Sequence, residues 1–246
     1  MKERLKFHDI VKSDYDLQKE KLNDFIDFSF DDELKNLTGL NYLPWIGNKL
    51  REKRTLIVGE SLYLWKENNK DFLEIHNEAI SEIFLRKTVS TQGLLLNKDK
   101  KTHNFYRGIE RLFSGKKDIT ENERFDFWTG IIFHQFVQEP MDNHKTRPTQ
   151  QQYKVGAAVL KNIIKLLHIE LCIFLGSDIS KVNLIREVYG KENFAIKDSA
   201  NPKIKIGNTF GRKRIAKYDD REVEFVFVRH PSAFFSWKLW NEKMIK

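Results

Sequence analysis

Thr55-Leu56-Ile57-Val58-Gly59-Glu60-Ser61-Leu62-Tyr63 is the stretch whose reading decides the fold. Thr55 to Val58 run without polar alternation and then break at a glycine into Glu60 and Ser61. A short apolar run of this kind is a strand buried on both faces, as in a parallel sheet covered by helices. A second such run, Val223 to Arg229, ends in His230-Pro231-Ser232, and two more lie at about 130–136 and at 171–175. In an open parallel sheet the loops at the carboxyl edge meet, and ligands bind there. A carboxylate after the first strand and an imidazole after the last therefore face a common crevice.

The connections agree with this reading. Thr149, after Arg147-Pro148, is placed to cap a helix in which Leu160, Ile163, Ile164 and Leu167 recur at helical spacing. That helix leads into Glu170-Leu171-Cys172-Ile173-Phe174-Leu175-Gly176, a βαβ unit in outline. A mostly helical insert, about 64–128, separates the first two strands, with polar breaks at Asn97–Lys101 and Gly115–Asp118. Asn41–Gly47 reads as a turn-rich entry, because Pro44 and Gly47 bracket Trp45 and Ile46. Residues 1–40 are charged, with aromatics at Phe25, Phe28 and Phe30, and read as a helical extension packed on a core domain of residues 41–246. The pattern predicts an α/β chain, a three-layer α/β/α sandwich around a central, mainly parallel four-stranded sheet.

Composition bounds the function. The 246 residues are 40% hydrophobic and 32% charged, with 19 Phe and 5 Trp, which is a globular balance with material for a substantial core. A formal net charge of +8 favours polyanionic partners such as nucleic acid, although excess lysine also serves solubility. The single Cys172 excludes an internal disulfide and any four-cysteine metal site, and its apolar neighbours make it core packing. His8, His76, His103, His144 and His168 show no ligand spacing, and neither a His-Glu-x-x-His sequence nor a Walker-type glycine loop is present. Met1–Lys6 carries mixed charge without an apolar signal core, and no stretch is long enough to span a membrane. The expectation is a soluble, cytoplasmic protein.

Three further segments carry chemistry. Gln135, near the end of Ile131–Pro140, offers an amide donor and acceptor side by side, suited to a base edge; the alternative is a satisfied buried amide. Ala233–Trp240 places four large aromatics and Lys238 just after a strand end. These aromatics either seal a C-terminal helix onto the core, as the i, i+3 spacing of Trp237 and Trp240 suits, or a loop aromatic such as Phe234 wedges into a base stack while Ser232 touches phosphate. Arg212, Lys213, Arg214 and Lys217 form the densest basic cluster, either a solvated loop or one that follows a phosphate backbone.

Taken in order, Gly59–Tyr63, Phe133–Gln138, Arg147-Pro148-Thr149 with Phe174–Ser177, and His230–Ser232 resemble the motifs of the uracil-DNA glycosylase superfamily. Leu43-Pro44-Trp45-Ile46-Gly47 with Gly59-Glu60-Ser61 resembles a less characterised bacterial branch, and the likeness spans about residues 41 to 240. Leu94-Leu95-Leu96-Asn97 copies the wording of the best-known branch's base-reading motif, but Lys98–Lys101 follow it where a crossover into the third strand should. Asn97 is therefore read as a helix end or turn residue. Ser61 stands where the best-known branch has aspartate, Gln135 where it has asparagine, and Leu62 where close bacterial relatives carry histidine. Glu60 supplies a carboxylate next to the glycine, as in other branches.

The resemblance implies a DNA glycosylase that flips out uracil or another deaminated or damaged base and hydrolyses its N-glycosidic bond, as a step of base-excision repair. Glu60, Ser61 and His230 are the implied catalytic residues, and Gln135 reads the base, which stacks on Tyr63 or Phe84. Ser232, Phe234, Arg212, Lys213 and Arg214 are the implied contacts to single- or double-stranded DNA. No metal or organic cofactor is needed, and the expected state is a monomer. Two alternatives stay open: a DNA- or base-binding member of the same fold that has lost catalysis, motivated by Ser61 and Gln135, and a hydrolase acting on free nucleosides.

Overall fold

The computed structural model describes residues 19–20, 22–63, 82–94, 104–141, 146–197, 201–231 and 235–245. The predicted strands are Thr55–Gly59 (β2), Ile132–Gln135 (β3), Leu171–Leu175 (β4) and Arg221–Val228 (β8). They pair in parallel in the order β3-β2-β4-β8. The sheet is wider than four strands, which corrects the expectation. Trp45–Ile46 (β1) pairs antiparallel with β3 at one edge. At the other edge Thr209–Tyr218 (β7) pairs antiparallel with β8, and Phe194–Ile196 (β5) and Ile204–Ile206 (β6) pair antiparallel with β7. The result is an eight-stranded mixed sheet among the described residues. β7 is antiparallel with partly solvated positions, so it carries polar residues instead of an unbroken apolar run, while β1 and β5 are only two and three residues long.

Seven α-helices are described: Asp31–Lys35 (α1), Phe84–Thr88 (α2), Asn104–Ser114 (α3), Glu121–Thr129 (α4), Gln150–Leu166 (α5), Ile179–Tyr189 (α6) and Trp237–Trp240 (α7). Thr149 caps α5 as predicted, accepting from Gln152 N–H while the Gln152 side chain returns to the Thr149 backbone. Helices cover both sheet faces. On one, Val159, Leu160, Ile163 and Ile164 of α5 and Val182 and Ile185 of α6 pack on Leu56, Val58, Cys172, Phe174, Phe225 and Phe227. On the other, Leu85, Tyr106, Ile109, Leu112, Trp128 and Trp240 pack on Ile57, Phe133, Ile173, Val226 and Val228. Alternate residues of each parallel strand thus serve opposite layers, which is why those strands read as continuously apolar. Trp240 is buried as expected, stacked on Phe235.

Leu22 and Ile26 belong to one of these cores and Leu34 to the other. A fully buried Arg86 donates to Asp31 through both terminal nitrogens, at 2.7 and 2.6 Å, and through Nε to Pro44 O at 2.8 Å. Within the predicted insert, residues 64–81 and 95–103, including Asn97, lie outside the described residues. No helix among the described residues is long and apolar enough to cross a membrane.

The sheet order also locates a crevice. From β2 the chain goes to β3 on one side, whereas from β4 it goes to the other, reaching β8 through β5, β6 and β7. The connections diverge at the carboxyl ends of β2 and β4, the topological switch point where open α/β sheets bind ligands.

Candidate active site

Glu60 sits at that point. Pairing continues past β2, with Phe136 N–H donating to Gly59 O and Val137 N–H to Glu60 O, both at 2.9 Å. Side-chain alternation then turns Glu60 toward α5 and α6. The Tyr153 hydroxyl donates to Glu60 Oε1 at 2.9 Å, the Lys181 ammonium donates to the same oxygen, and Arg147 Nη1 lies 3.4 Å from Oε2. Glu60 and Lys181 are both buried, and the ammonium also lies 5.5 Å from the Tyr153 ring centroid. Burial alone would raise the Glu60 pKa, but the Lys181 charge and the Lys181 and Tyr153 hydrogen bonds outweigh it. The net shift is downward, so the group is a carboxylate at neutral pH.

His230 approaches from the other layer. Val228 belongs to the core beneath α3, and two residues on, the His230 ring stacks on Phe105 of α3 at 5.0 Å and 25°. Pro231 rests on Gly108 one helical turn later: a Cβ there would stand 2.7 Å from Pro231 Cβ. Burial pushes the imidazole down to about 4, with Glu60 opposing the shift and Lys181 and Arg147 adding to it. At neutral pH the ring is uncharged, and it shares one electrostatic field with the Glu60 cluster.

Gln135 ends the strand on the other side of β2 from His230, paired in register with Gly59. Its carboxamide covers that glycine, and its buried Oε1 has no hydrogen-bond partner. Ser61 Oγ is likewise buried and unpartnered. Buried polar atoms without partners are rare in folded proteins, and two of them at the carboxyl ends of adjacent strands mark a place for a polar ligand. The satisfied amide of this segment is Gln138, which donates to Gln135 O at 2.6 Å and accepts from Asn41 N–H at 3.1 Å. Gln138 Nε2 also donates to His134 Nε2 at 2.9 Å, and burial pushes that second imidazole down to about 3.

Other predicted residues fall differently. Tyr63 is half-buried, bridges to Met141, and helps raise the Tyr153 phenol, so it borders the Glu60 cluster. The Phe84 ring is taken up by core packing beneath α2. Arg212, Lys213 and Arg214 lie on β7, which corrects their reading as a loop. Arg212 donates to Ser177 O at 2.5 Å, and the buried Arg214 to Lys213 O at 2.8 Å and Pro202 O at 3.3 Å. Both guanidinium groups hold backbone carbonyls. Ser232 and Phe234 lie outside the described residues. Cys172 is buried in the core, and burial raises its thiol.

Lys181, Tyr153, Arg147, Phe105 and Gly108 are site residues that the sequence reading missed. One signal was available for Lys181. It stands in the first turn of α6, beyond the Asp178 cap, where a cation opposes the helix dipole unless a carboxylate pairs with it. No group of three or more His, Cys, Asp or Glu side chains gathers as a metal site among the described residues. No family model matches the chain, and no curated protein matches it.

Proposed function

We propose that the chain is a DNA glycosylase that hydrolyses the N-glycosidic bond of a flipped, deaminated base, acting as a monomer in DNA repair. The observation that carries this reading is an ionised Glu60 and a neutral His230 converging on one sheet edge, with the unpartnered Gln135 amide oxygen beside them. Base departure leaves a cationic sugar and an anionic base. The Glu60 carboxylate is suited to stabilise the sugar cation and to orient the water that adds at C1′. The His230 N–H is suited to donate to an oxygen of the departing base, and such a preorganised donor is worth about 2.7–4 kcal/mol in the barrier. As the C1′–N bond breaks its electrons go to the base, and water's proton finally neutralises that base.

Gln135 supports a choice of base. An amide with a free acceptor beside a donor matches a ring N–H next to a carbonyl. Uracil offers N3–H beside O4, and hypoxanthine and xanthine offer N1–H beside O6. Cytosine and adenine present a ring acceptor at that place, which would face Oε1 unfavourably.

One observation favours the binding-only alternative. Glu60 already receives Lys181, Tyr153 and Arg147, which leaves little of the carboxylate open to water. Base release from single- and double-stranded oligonucleotides carrying uracil, hypoxanthine, xanthine or a thymine mispair separates the readings. The glycosylase reading expects release that His230→Ala and Glu60→Ala each reduce by about 100-fold or more. Salt-sensitive binding with no release identifies a binding protein, and neither binding nor release ends both readings.

A further inference from the structure

We propose that the cleft between α3 and α4 is a binding site for a phosphate oxyanion, separate from the Glu60–His230 site. The cleft has a volume of about 40 Å³ and is lined by four cations, Arg107, Arg111, Lys117 and Arg124, and two carboxylates, Glu110 and Asp118. One carboxylate is buried, and it is shared. Arg107 donates to Glu110 Oε2, Trp128 Nε1 donates to Oε1 at 2.9 Å, and Arg124 Nε stands 3.4 Å from Oε1, out of hydrogen-bonding alignment. Asp118 is largely exposed and lies 3.7 Å from Arg111.

Two donors in this group remain unused. The Arg107 and Arg124 Nε–H groups are buried and have no acceptor among the described residues. Guanidinium is the side chain best shaped to grip phosphate oxygens, and a buried donor without an acceptor costs stability until a ligand supplies one. The charge balance agrees: four cations line the cleft against two carboxylates, and burial with the neighbouring charges of Arg124 and Arg111 pushes Arg107 down to about 9.

The site is distinct in space. Phe105, Gly108 and Leu112 share the face of α3 that meets the core and the His230 loop. Arg107, Glu110 and Arg111 lie about half a turn round the helix. Roughly 10 Å of helix therefore stands between the two sites.

Two sources supply this chemistry, a nucleic-acid backbone phosphate and a free phosphate group. The test is calorimetric titration of the full chain with inorganic phosphate, compared with chloride at equal ionic strength. One saturable site is expected, weakened about tenfold or more by Arg124→Gln and strengthened several-fold by Glu110→Gln, which removes the competing carboxylate. Lys117→Gln, at an exposed position, weakens binding without disturbing the fold and serves where the buried variants do not fold. Competition by a short DNA duplex assigns the site to the backbone, and its absence assigns it to free phosphate; either supports the proposal. An equal response to phosphate and chloride, or binding unchanged in both Arg124→Gln and Lys117→Gln, overturns it. None of these variants touches Glu60 or His230, so the outcome is independent of base release.

Discussion

The Gln135 carboxamide lies across Gly59, so that a Cβ on the glycine would press on Gln135 Oε1 and stand 2.9 Å from Cδ. The glycine is there for the close approach of a side chain, which holds the amide flat over the end of β2. Gly59→Ala therefore displaces the amide. Its far end can swing away, so the stability loss is about 1–3 kcal/mol. On the proposed glycosylase reading, base release should suffer more, on the order of 100-fold, because the group proposed to read the base moves by about 1 Å. Urea melts set beside release rates check this; equal losses in both would argue against a reading role for Gln135.

Lys181 is the partner that keeps Glu60 ionised. Its replacement by Met leaves a buried carboxylate with Tyr153 and the exposed Arg147, and breaking a buried pair in this way costs about 3–5 kcal/mol. The Glu60 pKa is lowered in the fold, so its contribution is fully present above the unfolded value and is lost as pH falls through the folded one. Removing Lys181 raises the folded value. The acid limb of base release should move to higher pH in Lys181→Met, and Glu60→Gln in that background should restore much of the stability. An unmoved acid limb would detach Glu60 from the rate.

The buried His134 and the half-buried His230 set a second pH dependence. His230 is held near 4 and His134 near 3, against an ordinary value of 6.5. From 6.5 down to about 4 both stay neutral in the fold while both protonate in the unfolded chain. Stability therefore falls with decreasing pH across that window, by up to about 1.4 kcal/mol per pH unit for each ring. His230→Phe should remove about half of this slope, as measured by urea unfolding at successive pH values between about 7 and 4. A slope unchanged by the substitution would mean that His230 titrates normally.

The parallel strands were legible because burial on both faces leaves an unbroken apolar signature, as at Leu56-Ile57-Val58. β7 was not, because Arg212, Lys213, Arg214 and Lys217 interrupt its apolar residues on an antiparallel strand that is only partly buried. Glu60 and His230 could be placed because each directly follows a strand that the pattern reveals. Their partners could not: Tyr153 and Lys181 lie 93 and 121 residues from Glu60 along the chain, and only the packing of α5 and α6 on one face brings them there. Phe105 reaches His230 from the opposite layer for the same reason.

Asp31 and Arg86 tie the first described residues to the sheet layers through a buried bidentate pair. Asp31→Ala leaves Arg86 charged and buried with Pro44 O and the Phe28 ring face, a loss of about 3–5 kcal/mol. Asp31→Leu combined with Arg86→Met removes both charges and should recover most of that loss in urea melts. Failure of the double variant to recover would mean that the pair's geometry, and not its charge balance, holds this segment.

Gly108 tests the link between α3 and the imidazole. A methyl carbon added there would stand 2.7 Å from Pro231 Cβ, and a proline ring cannot swing aside as a long side chain does. Gly108→Ala gains helix propensity worth about 1 kcal/mol, yet must push the Pro231 turn away from the helix. His230 then leaves the Phe105 stack and gains water. Its pKa, now held near 4 by burial, should rise toward 6.5, and NMR titration of the ring reads that shift directly. Base release should fall in the same variant while the melting temperature changes little. A His230 pKa that stays near 4 would show that the turn absorbs the methyl without moving the imidazole, and the seat provided by Phe105 alone would then account for its position.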